Sequence, residues 1–315
     1  MKMNLAQAVD FYLETRRSFG FALVQVGTEL RTLVRYAKKA GHTGPLTNCL
    51  LLDWAQQPQQ CAPSYHALRL EIGRRFALFW LAYEPRTEVP PSGRLGALYG
   101  RRAVHIYTPE EVGTLWDAAT ELGRIHPLRQ WTFCTVVGLL DCTGLRISEA
   151  LGLDEHDIDW SAGVLTIRDS KGGHSRLVPV HASTLEALER YRSLRKKSVR
   201  SGSSSRLFVS WRGCPLGYPG IHAPFRRLCR NLGWTRPPVP RLHDFRHTFA
   251  VRTLLGWYRS GQSAASQLWT LSTYLEHRHL ADTYWYLTAI PELMRLCQDR
   301  FATAQHWASR GSTDA

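Results

Sequence analysis

The sequence has few features of a secreted or membrane-spanning protein. Its seven cysteines are odd in number, scattered along the chain and never arranged as C-x-x-C. This argues against a disulfide framework and against a zinc ribbon, and it favours a reducing compartment. The N-terminus leads into an amphipathic pattern without an apolar signal-peptide core, and the longest apolar stretch, at 131–140, is too short to span a bilayer. We therefore expect a soluble cytoplasmic protein with no membrane partner.

Acidic residues are also in the minority. The chain has 40 Lys and Arg residues against 26 Asp and Glu, which gives a formal net charge of +14 at pH 7. The excess is spread along the chain, because residues 1–107 contain 14 basic and 7 acidic residues and the remainder contains 26 and 19. This balance favours a polyanionic partner, since each phosphate that Lys or Arg neutralises releases condensed counterions. Some basic proteins bind no particular partner, so charge alone does not decide the point.

The first hundred residues show only helical patterns. Apolar residues recur at helical spacing in three segments, and a shorter apolar segment precedes the last of them. We predict a small four-helix domain at residues 1–84, with Arg69, Arg74 and Arg75 on its polar side. The apolar positions are Leu5, Val9, Tyr12 and Leu13; Val26, Leu30, Leu33 and Val34; Leu50 to Ala55; and Leu68, Ile72, Phe76 and Phe79.

Composition changes after this domain. Residues 85–107 are rich in Pro, Gly and Arg and show little periodicity, so we predict a basic interdomain linker there. The next helix is predicted to begin at Thr108, because Thr108 and Glu111 have the spacing of a capping box around a proline. Ser183 and Glu186 have the same spacing and predict a second helix start.

The remaining residues, 108–315, are mostly helical in pattern with a β interlude. Runs at 164–168 and 176–180 flank the turn residues Lys171-Gly172-Gly173, which predicts a hairpin. Leu207–Val209 is a candidate third strand. The predicted fold class is mainly α with a small antiparallel β-sheet (α+β), in two domains.

Several polar residues in this second domain have ambiguous meaning when they are considered singly. Arg146 follows a Gly turn and precedes Glu149 by three residues, so an ion pair at a helix start explains it as well as catalysis does. His243 and Arg246 share a helical face and could be a solvated surface. His243 and His247 have the spacing of two zinc ligands, but no Glu follows His243 and no third ligand is evident.

The order of the segments is more informative than any one of them. They read TGLRISEAL at 143–151, SKGGHSRLVPV at 170–180, HDFRHTFA at 243–250 and LEHRHLADTYWY at 275–286. This order and spacing resemble the catalytic signature of the tyrosine recombinases, the family of phage integrases and chromosome-dimer-resolving recombinases. The catalytic set that the resemblance implies is Arg146, Lys171, His243, Arg246, His277 and Tyr286.

The resemblance also implies a role for each residue around a DNA phosphate. Arg146 and Arg246 would hold the non-bridging oxygens, because planar guanidiniums match phosphate oxygens bidentately and neutralise charge in the transition state. His277 would donate a further hydrogen bond. Lys171 would protonate the departing 5′-oxygen, and His243 would assist proton transfer from or to the tyrosine.

Tyr286 would be the nucleophile of a site-specific recombinase that serves integration, excision or transposition of a mobile element. The 3′-phosphotyrosine would retain the bond energy, so neither ATP nor a metal or other cofactor is expected. The expected partners are double-stranded DNA with an inverted-repeat core site and further protomers, as a homotetramer or with related recombinases, and the protein would be nucleoid-associated. Residues 1–84 would clamp DNA and residues 108–315 would form the catalytic domain.

Three features complicate the match to the family pattern. The family usually has Gly before the last histidine of the set, where this chain has Glu276. A carboxylate there would disfavour phosphate unless it points away or pairs with Arg278. His279 is an alternative histidine, but the nine-residue interval to Tyr286 favours the earlier one. Tyr284 is a competing nucleophile; on a helix it would point about 200° away from Tyr286, so both cannot face one phosphate.

Two other functions fit the same residues. A type IB topoisomerase shares this catalytic set and chemistry, although the N-terminal bundle and the apolar C-terminal segment suit site-specific synapsis better. A catalytically silent DNA-binding accessory recombinase is the second alternative, and the presence of every expected active-site residue argues against it.

The apolar segment at 291–315 generates a testable prediction. We expect it to dock on a neighbouring protomer as an exchange segment and to couple the active sites, whereas the simpler alternative is a last helix on its own domain. Truncation after Ile290 should then abolish recombination while DNA binding, measured by mobility shift, stays nearly intact. Unchanged recombination by the truncated protein would contradict the exchange role.

Overall fold

The computed structural model describes residues 3–97, 103–168, 175–199, 204–262, 264–276 and 283. The chain divides into two compact units, Met1–Arg102 and Ala103–Ala315. This division falls within the segment 85–107. On the first unit, Val89 and Leu95 pack against the core, and the Glu88 amide donates to the Leu46 carbonyl at 2.9 Å. The linker function of 85–107 stays a prediction.

The first unit is helical, as its apolar spacing predicts. Thr47 caps the third helix, because its hydroxyl accepts from the Leu50 amide at 3.2 Å, and Pro63 occupies the first turn of the fourth helix. Pro is favoured there because its missing N–H would have no helical partner. The helices are α1 Leu5–Ser18, α2 Val24–Lys39, α3 Asn48–Gln56 and α4 Pro63–Trp80.

A buried arginine lies inside this helical unit. Arg69 is 6% exposed, lies over the Trp54 ring at 4.5 Å from its centroid, and donates to the Trp54 carbonyl at 3.0 Å. Its guanidinium also pairs with Glu29 at 3.5 Å. The expectation that Arg69 lies on the polar side of the bundle is therefore wrong. Arg74 and Arg75 both pair with Glu71.

The second unit is mainly helical, with three short antiparallel strands in the order β1-β2-β3. Strands β2 and β3 pair with Leu165 opposite Val178, both buried, which confirms the predicted hairpin. The turn that carries Lys171 lies outside the described residues. The elements are α5 Pro109–Ala118, α6 Thr120–Gly123, α7 Pro127–Thr143, α8 Ile147–Gly152, a 3₁₀ turn Glu155–Asp157, β1 Ile158–Asp159, β2 Val164–Ile167, β3 Arg176–Pro179, α9 Ala182–Ser198, α10 Tyr218–Asn231, α11 Asp244–Arg259 and α12 Ala264–Tyr274.

Helix α5 begins as its sequence predicts. The Thr108 hydroxyl accepts from the Glu111 amide at 3.2 Å, and the Glu111 carboxylate accepts from the Thr108 amide at 2.9 Å. The capping box predicted at Ser183 is wrong. Helix α9 starts two positions nearer the N-terminus, because His181 is the capping residue and its Nδ1 accepts from the Ser183 amide at 3.3 Å.

The third strand also differs from its prediction. It is β1, paired with β2, and not Leu207–Val209, which contributes only an isolated bridge from Val209 to Pro215. The Leu207 amide donates to the Leu153 carbonyl at 2.8 Å, so this segment hydrogen-bonds to a loop and not to a neighbouring strand. The fold class, mainly α with a small antiparallel sheet, is confirmed.

Two further findings concern the cysteines and the hydropathy of the helices. The cysteines in the described part of the chain are unpaired. Within that same part, no helix is both long and apolar enough to cross a membrane.

Gly144 ends α7 and sets the start of the segment that carries Arg146. Its φ of +62° lies in the left-handed region that favours glycine. A Cβ at this position would lie 2.5 Å from Cδ1 and 2.9 Å from Cγ of Phe249. The close approach of α7 to α11 therefore requires a residue without a side chain here.

We predict that Gly144→Ala lowers the free energy of unfolding by about 2–4 kcal/mol, because the left-handed backbone and the overlap with Phe249 add together. Urea unfolding followed by circular dichroism measures the change. The matched control is Gly113→Ala in α5, where a Cβ has nothing within 4 Å. This control should be neutral or should stabilise by up to about 1 kcal/mol, since Ala favours helix over Gly. Equal effects of the two substitutions would contradict the packing argument.

Candidate active site

Two arginines that are far apart in sequence meet at the end of α12. Arg146 precedes α8, and its Nη2 donates to the carbonyls of Leu275 at 3.4 Å and Glu276 at 3.1 Å. Arg246 lies in the first turn of α11; its Nη2 also donates to the Leu275 carbonyl and its Nη1 donates to the Gly144 carbonyl at 2.9 Å. The carbonyl oxygens at the C-terminal end of a helix carry partial negative charge, which favours cations. The Leu275 carbonyl therefore brings the two guanidiniums together.

The two guanidiniums differ in their access to solvent. Arg246 is 2% exposed, and its two carbonyl partners, Gly144 and Leu275, lie at the ends of two other helices. The side chain of Arg146 is 19% exposed. Arg246 is thus rigidly fixed, whereas Arg146 presents the more open face of the pair.

Glu149 neutralises part of this positive charge. Its carboxylate, 3% exposed, contacts Arg146 Nη1 at 2.5 Å and Arg176 Nη2 at 2.8 Å, and it accepts from the Arg146 amide at 2.9 Å. Burial alone would raise the pKa of Glu149, but the hydrogen bonds and charges of Arg176 and Arg146 outweigh it and hold that pKa below its ordinary value. The ion pair that the spacing of Arg146 and Glu149 suggested is present in this cluster of charged side chains.

Arg176 and Glu276 complete the cluster around Arg146. Arg176, on β3, lies within the sequence motif 170–180 but was not among the predicted catalytic residues. The Glu276 carboxylate lies 3.1 Å from Arg146 Nη1 and 3.0 Å from Arg176 Nη1. The Glu276 carboxylate therefore points into this arginine cluster and not away from it. A pairing with Arg278 stays untested, because Arg278 lies outside the described residues.

His243 caps α11 one turn before Arg246, whose amide donates to the His243 carbonyl at 3.2 Å. His243 is an exposed residue by its overall accessibility. Partial desolvation of its ring, together with the positive charges of Arg246, Arg241 and Arg146, lowers the pKa of His243 below its ordinary value. The ring is therefore neutral at pH 7 and has one nitrogen free of a proton.

The structure also bears on the zinc interpretation of the two histidines. The rings of His243 and His247 meet edge to face, with centroids 4.8 Å apart. In the described part of the chain, no group of three or more His, Cys, Asp or Glu side chains is arranged to hold a metal ion.

The described residues thus place half of the predicted catalytic set. Arg146 and Arg246 converge, and His243 lies one helical turn from Arg246. Lys171, His277 and Tyr286 lie outside the described residues, and so do the alternatives His279 and Tyr284 and the segment 291–315. Their roles stay predictions.

Comparisons with a family model and with known proteins indicate the same family. The model of the phage integrase family matches residues 106–291. The integrase/recombinase-named protein y4rB of Sinorhizobium fredii (strain NGR234) is 42% identical over 313 residues, which cover 96% of this chain and 98% of the relative. A second such protein of that strain, y4rE, is 33% identical over 94% of this chain and 95% of its own length.

A solved structure has the same fold at low sequence identity. The Tn1549 transposon integrase, in complex with transposon right-end DNA, superposes with a TM-score of 0.64 at 17% identity, over 95% of this chain and 100% of that one. The family model covers more than half of the chain, and the two relatives are similar to it over nearly its whole length. The chain therefore belongs to the phage integrase family of tyrosine recombinases.

Proposed function

We propose that this recombinase cleaves and rejoins double-stranded DNA at specific sites through a 3′-phosphotyrosine, in the integration, excision or transposition of a mobile element. The observation that carries the proposal is the convergence of Arg146 and Arg246 on the Leu275 carbonyl. Two guanidiniums side by side match the two non-bridging oxygens of a phosphodiester.

The arrangement suits a reaction in which negative charge grows on phosphate oxygens. Arg246 is held by two carbonyls before any substrate binds, so its orientation costs no reorganisation during the reaction. Arg146 is positioned by Glu149 and remains partly open to solvent. Because these guanidiniums supply the positive charge, we propose that the reaction requires neither a metal ion nor ATP.

The proton transfers can be assigned to residues of the set. The Tyr286 oxygen would attack phosphorus and lose its proton to the neutral imidazole of His243. The bond from phosphorus to the 5′-oxygen would break, and Lys171 would protonate that oxygen as it leaves. His277 would hydrogen-bond a non-bridging oxygen. A 5′-hydroxyl from another strand would then attack the phosphotyrosine, and the same transfers would run in reverse.

The proposed DNA partner is a duplex with an inverted-repeat core site. A net charge of +14 divided between the two halves of the chain supports a long phosphate contact. The Tn1549 integrase, which has the same fold, was solved with transposon-end DNA. We propose that residues 1–84 clamp the duplex, that residues 108–315 carry the chemistry, and that four protomers assemble, either identical or with related recombinases.

We predict that Tyr286→Phe removes the covalent intermediate. On a nicked suicide substrate taken from the DNA ends that flank the coding region, the wild-type chain should form an adduct that survives denaturation. Tyr286→Phe should reduce it by at least about a thousandfold, because the nucleophilic oxygen is absent. Mobility shift should show unchanged DNA binding.

Tyr284→Phe is the matched control, and it should form the adduct at nearly the wild-type rate. Loss of the adduct in Tyr284→Phe alone would reassign the nucleophile. Binding without an adduct by the wild-type chain would favour an accessory protein. Relaxation of supercoiled DNA that lacks the site would favour a topoisomerase.

The neutral state of His243 can be tested by titration. We predict an imidazole midpoint below the ordinary value of about 6.5, observed by NMR and assigned by its absence in His243→Gln. Because the pKa is lowered on folding, His243 contributes stability that is full above about pH 6.5 and is lost as pH falls through the lowered value. The wild-type chain should therefore lose more stability than His243→Gln between pH 7 and pH 5. A midpoint at or above 6.5 would contradict the lowered pKa of His243.

A further inference from the structure

Glu276 has a backbone conformation that is unusual for its residue type. It follows α12 with a φ of +49°, and in the described part of the chain Leu23 is the only other non-glycine residue with positive φ. The Leu275 amide donates to the Leu271 carbonyl and the Glu276 amide to the Thr273 carbonyl, so the last helical turn closes here. A left-handed residue at this position is usually Gly, because a Cβ is crowded. Such conformations persist where the surroundings hold them, and they are common at functional sites.

The Glu276 carboxylate occupies the donors that a phosphate would need. Arg146 Nη1 is shared between the carboxylates of Glu149 and Glu276, and Arg146 Nη2 donates to the carbonyls of Leu275 and Glu276. Both terminal nitrogens of the more accessible arginine are thus bonded within the protein. An oxyanion that binds Arg146 through its terminal nitrogens has to replace one of these acceptors.

Of the two carboxylates, Glu276 is the one that can be displaced. Glu149 is 3% exposed, accepts from the Arg146 amide, and contacts Arg176 through both oxygens at 3.3 and 2.8 Å. Glu276 is 17% exposed, and its side chain contacts each arginine through the single oxygen Oε2. Removing Glu149 would leave a buried cluster without its anion, whereas Glu276 lies on the open side.

The net charge of the cluster also favours competition between the Glu276 carboxylate and an incoming phosphate. The four side chains Arg146, Arg176, Glu149 and Glu276 sum to zero, so with Glu276 in place they offer an incoming anion no net attraction. If the Glu276 carboxylate withdraws, the same cluster has a charge of +1 beside the +1 of Arg246. The position of one carboxylate therefore decides whether this part of the site attracts a phosphate.

We propose that Glu276 is an internal competitor for the scissile phosphate. In the DNA-free protein its carboxylate occupies the phosphate-binding position of Arg146, and it withdraws when the DNA phosphate binds. The phosphate as the displacing group rests on the proposed function, whereas the competition itself applies to any oxyanion of similar size. This competition disfavours phosphate binding until protein contacts elsewhere on the DNA offset the free-energy cost of displacing the Glu276 carboxylate.

The test measures binding of inorganic phosphate to the full chain at constant ionic strength, by calorimetry and by the shift in melting temperature. Glu276→Gln removes the charge at the same backbone position and should bind phosphate about tenfold more tightly than wild type. Glu276→Gly, which also relieves the left-handed backbone, should bind at least as tightly and should melt no lower. Adding Arg146→Ala should abolish the gain.

Glu186→Gln in α9 is the matched control. It makes the same change in net charge, but Glu186 is 67% exposed and pairs with Arg190 on the surface. Its phosphate affinity should equal that of wild type. If Glu276→Gln is folded but binds phosphate no more tightly than Glu186→Gln, the competitor role is wrong. Weaker binding would show instead that Glu276 positions the arginines.

A second measurement separates this inference from the proposed function. On the suicide substrate, Glu276→Gln should form the covalent adduct faster than wild type at subsaturating DNA. If no variant forms an adduct but Glu276→Gln still binds phosphate more tightly, the recombinase mechanism fails and the competition stands. If wild type forms the adduct and phosphate affinity is unchanged in Glu276→Gln, the competition fails and the mechanism stands.

Discussion

The carbonyl oxygen of Leu275 is the contact on which the candidate active site depends. It accepts from Arg146 and from Arg246, two like charges that would otherwise repel each other. Its negative end is available because α12 stops at this point and leaves its last carbonyls without helical donors. The glycine turn at Gly144 supplies a second carbonyl to Arg246 and allows α7 to approach α11 closely. Backbone geometry, more than side-chain pairing, therefore positions the two cations.

The two carboxylates of the cluster, Glu149 and Glu276, contact the same arginines in different ways. Glu149 is buried and joins Arg146 to Arg176 on the hairpin, so it connects the arginine site to the strand that leads from Lys171. Glu276 approaches the same arginines from the more open side. Glu149 thus holds Arg146 and Arg176 together, and the position of Glu276 determines the net charge near them.

The sequence predicts those features that depend on neighbouring residues. The capping box at Thr108 and the hairpin around Lys171 follow from spacing, because each requires only short-range hydrogen bonds. The prediction for Leu207–Val209 fails because strand identity depends on which backbone lies opposite, and here it is a loop. Ser183 fails as a cap because His181 provides an equivalent acceptor two residues earlier.

By itself the sequence determined the residue types, their order and their spacing, and these suffice for the family and for the choice of Arg146 and Arg246. Only the tertiary structure decided what surrounds them. Arg69 has the sequence context of a surface residue, yet it is buried over Trp54 because the helices of the first unit enclose it. The sequence left the orientation of Glu276 open, and only the structure shows that it pairs with Arg146, 130 residues away. Contacts over such separations arise from packing, and no local pattern encodes them.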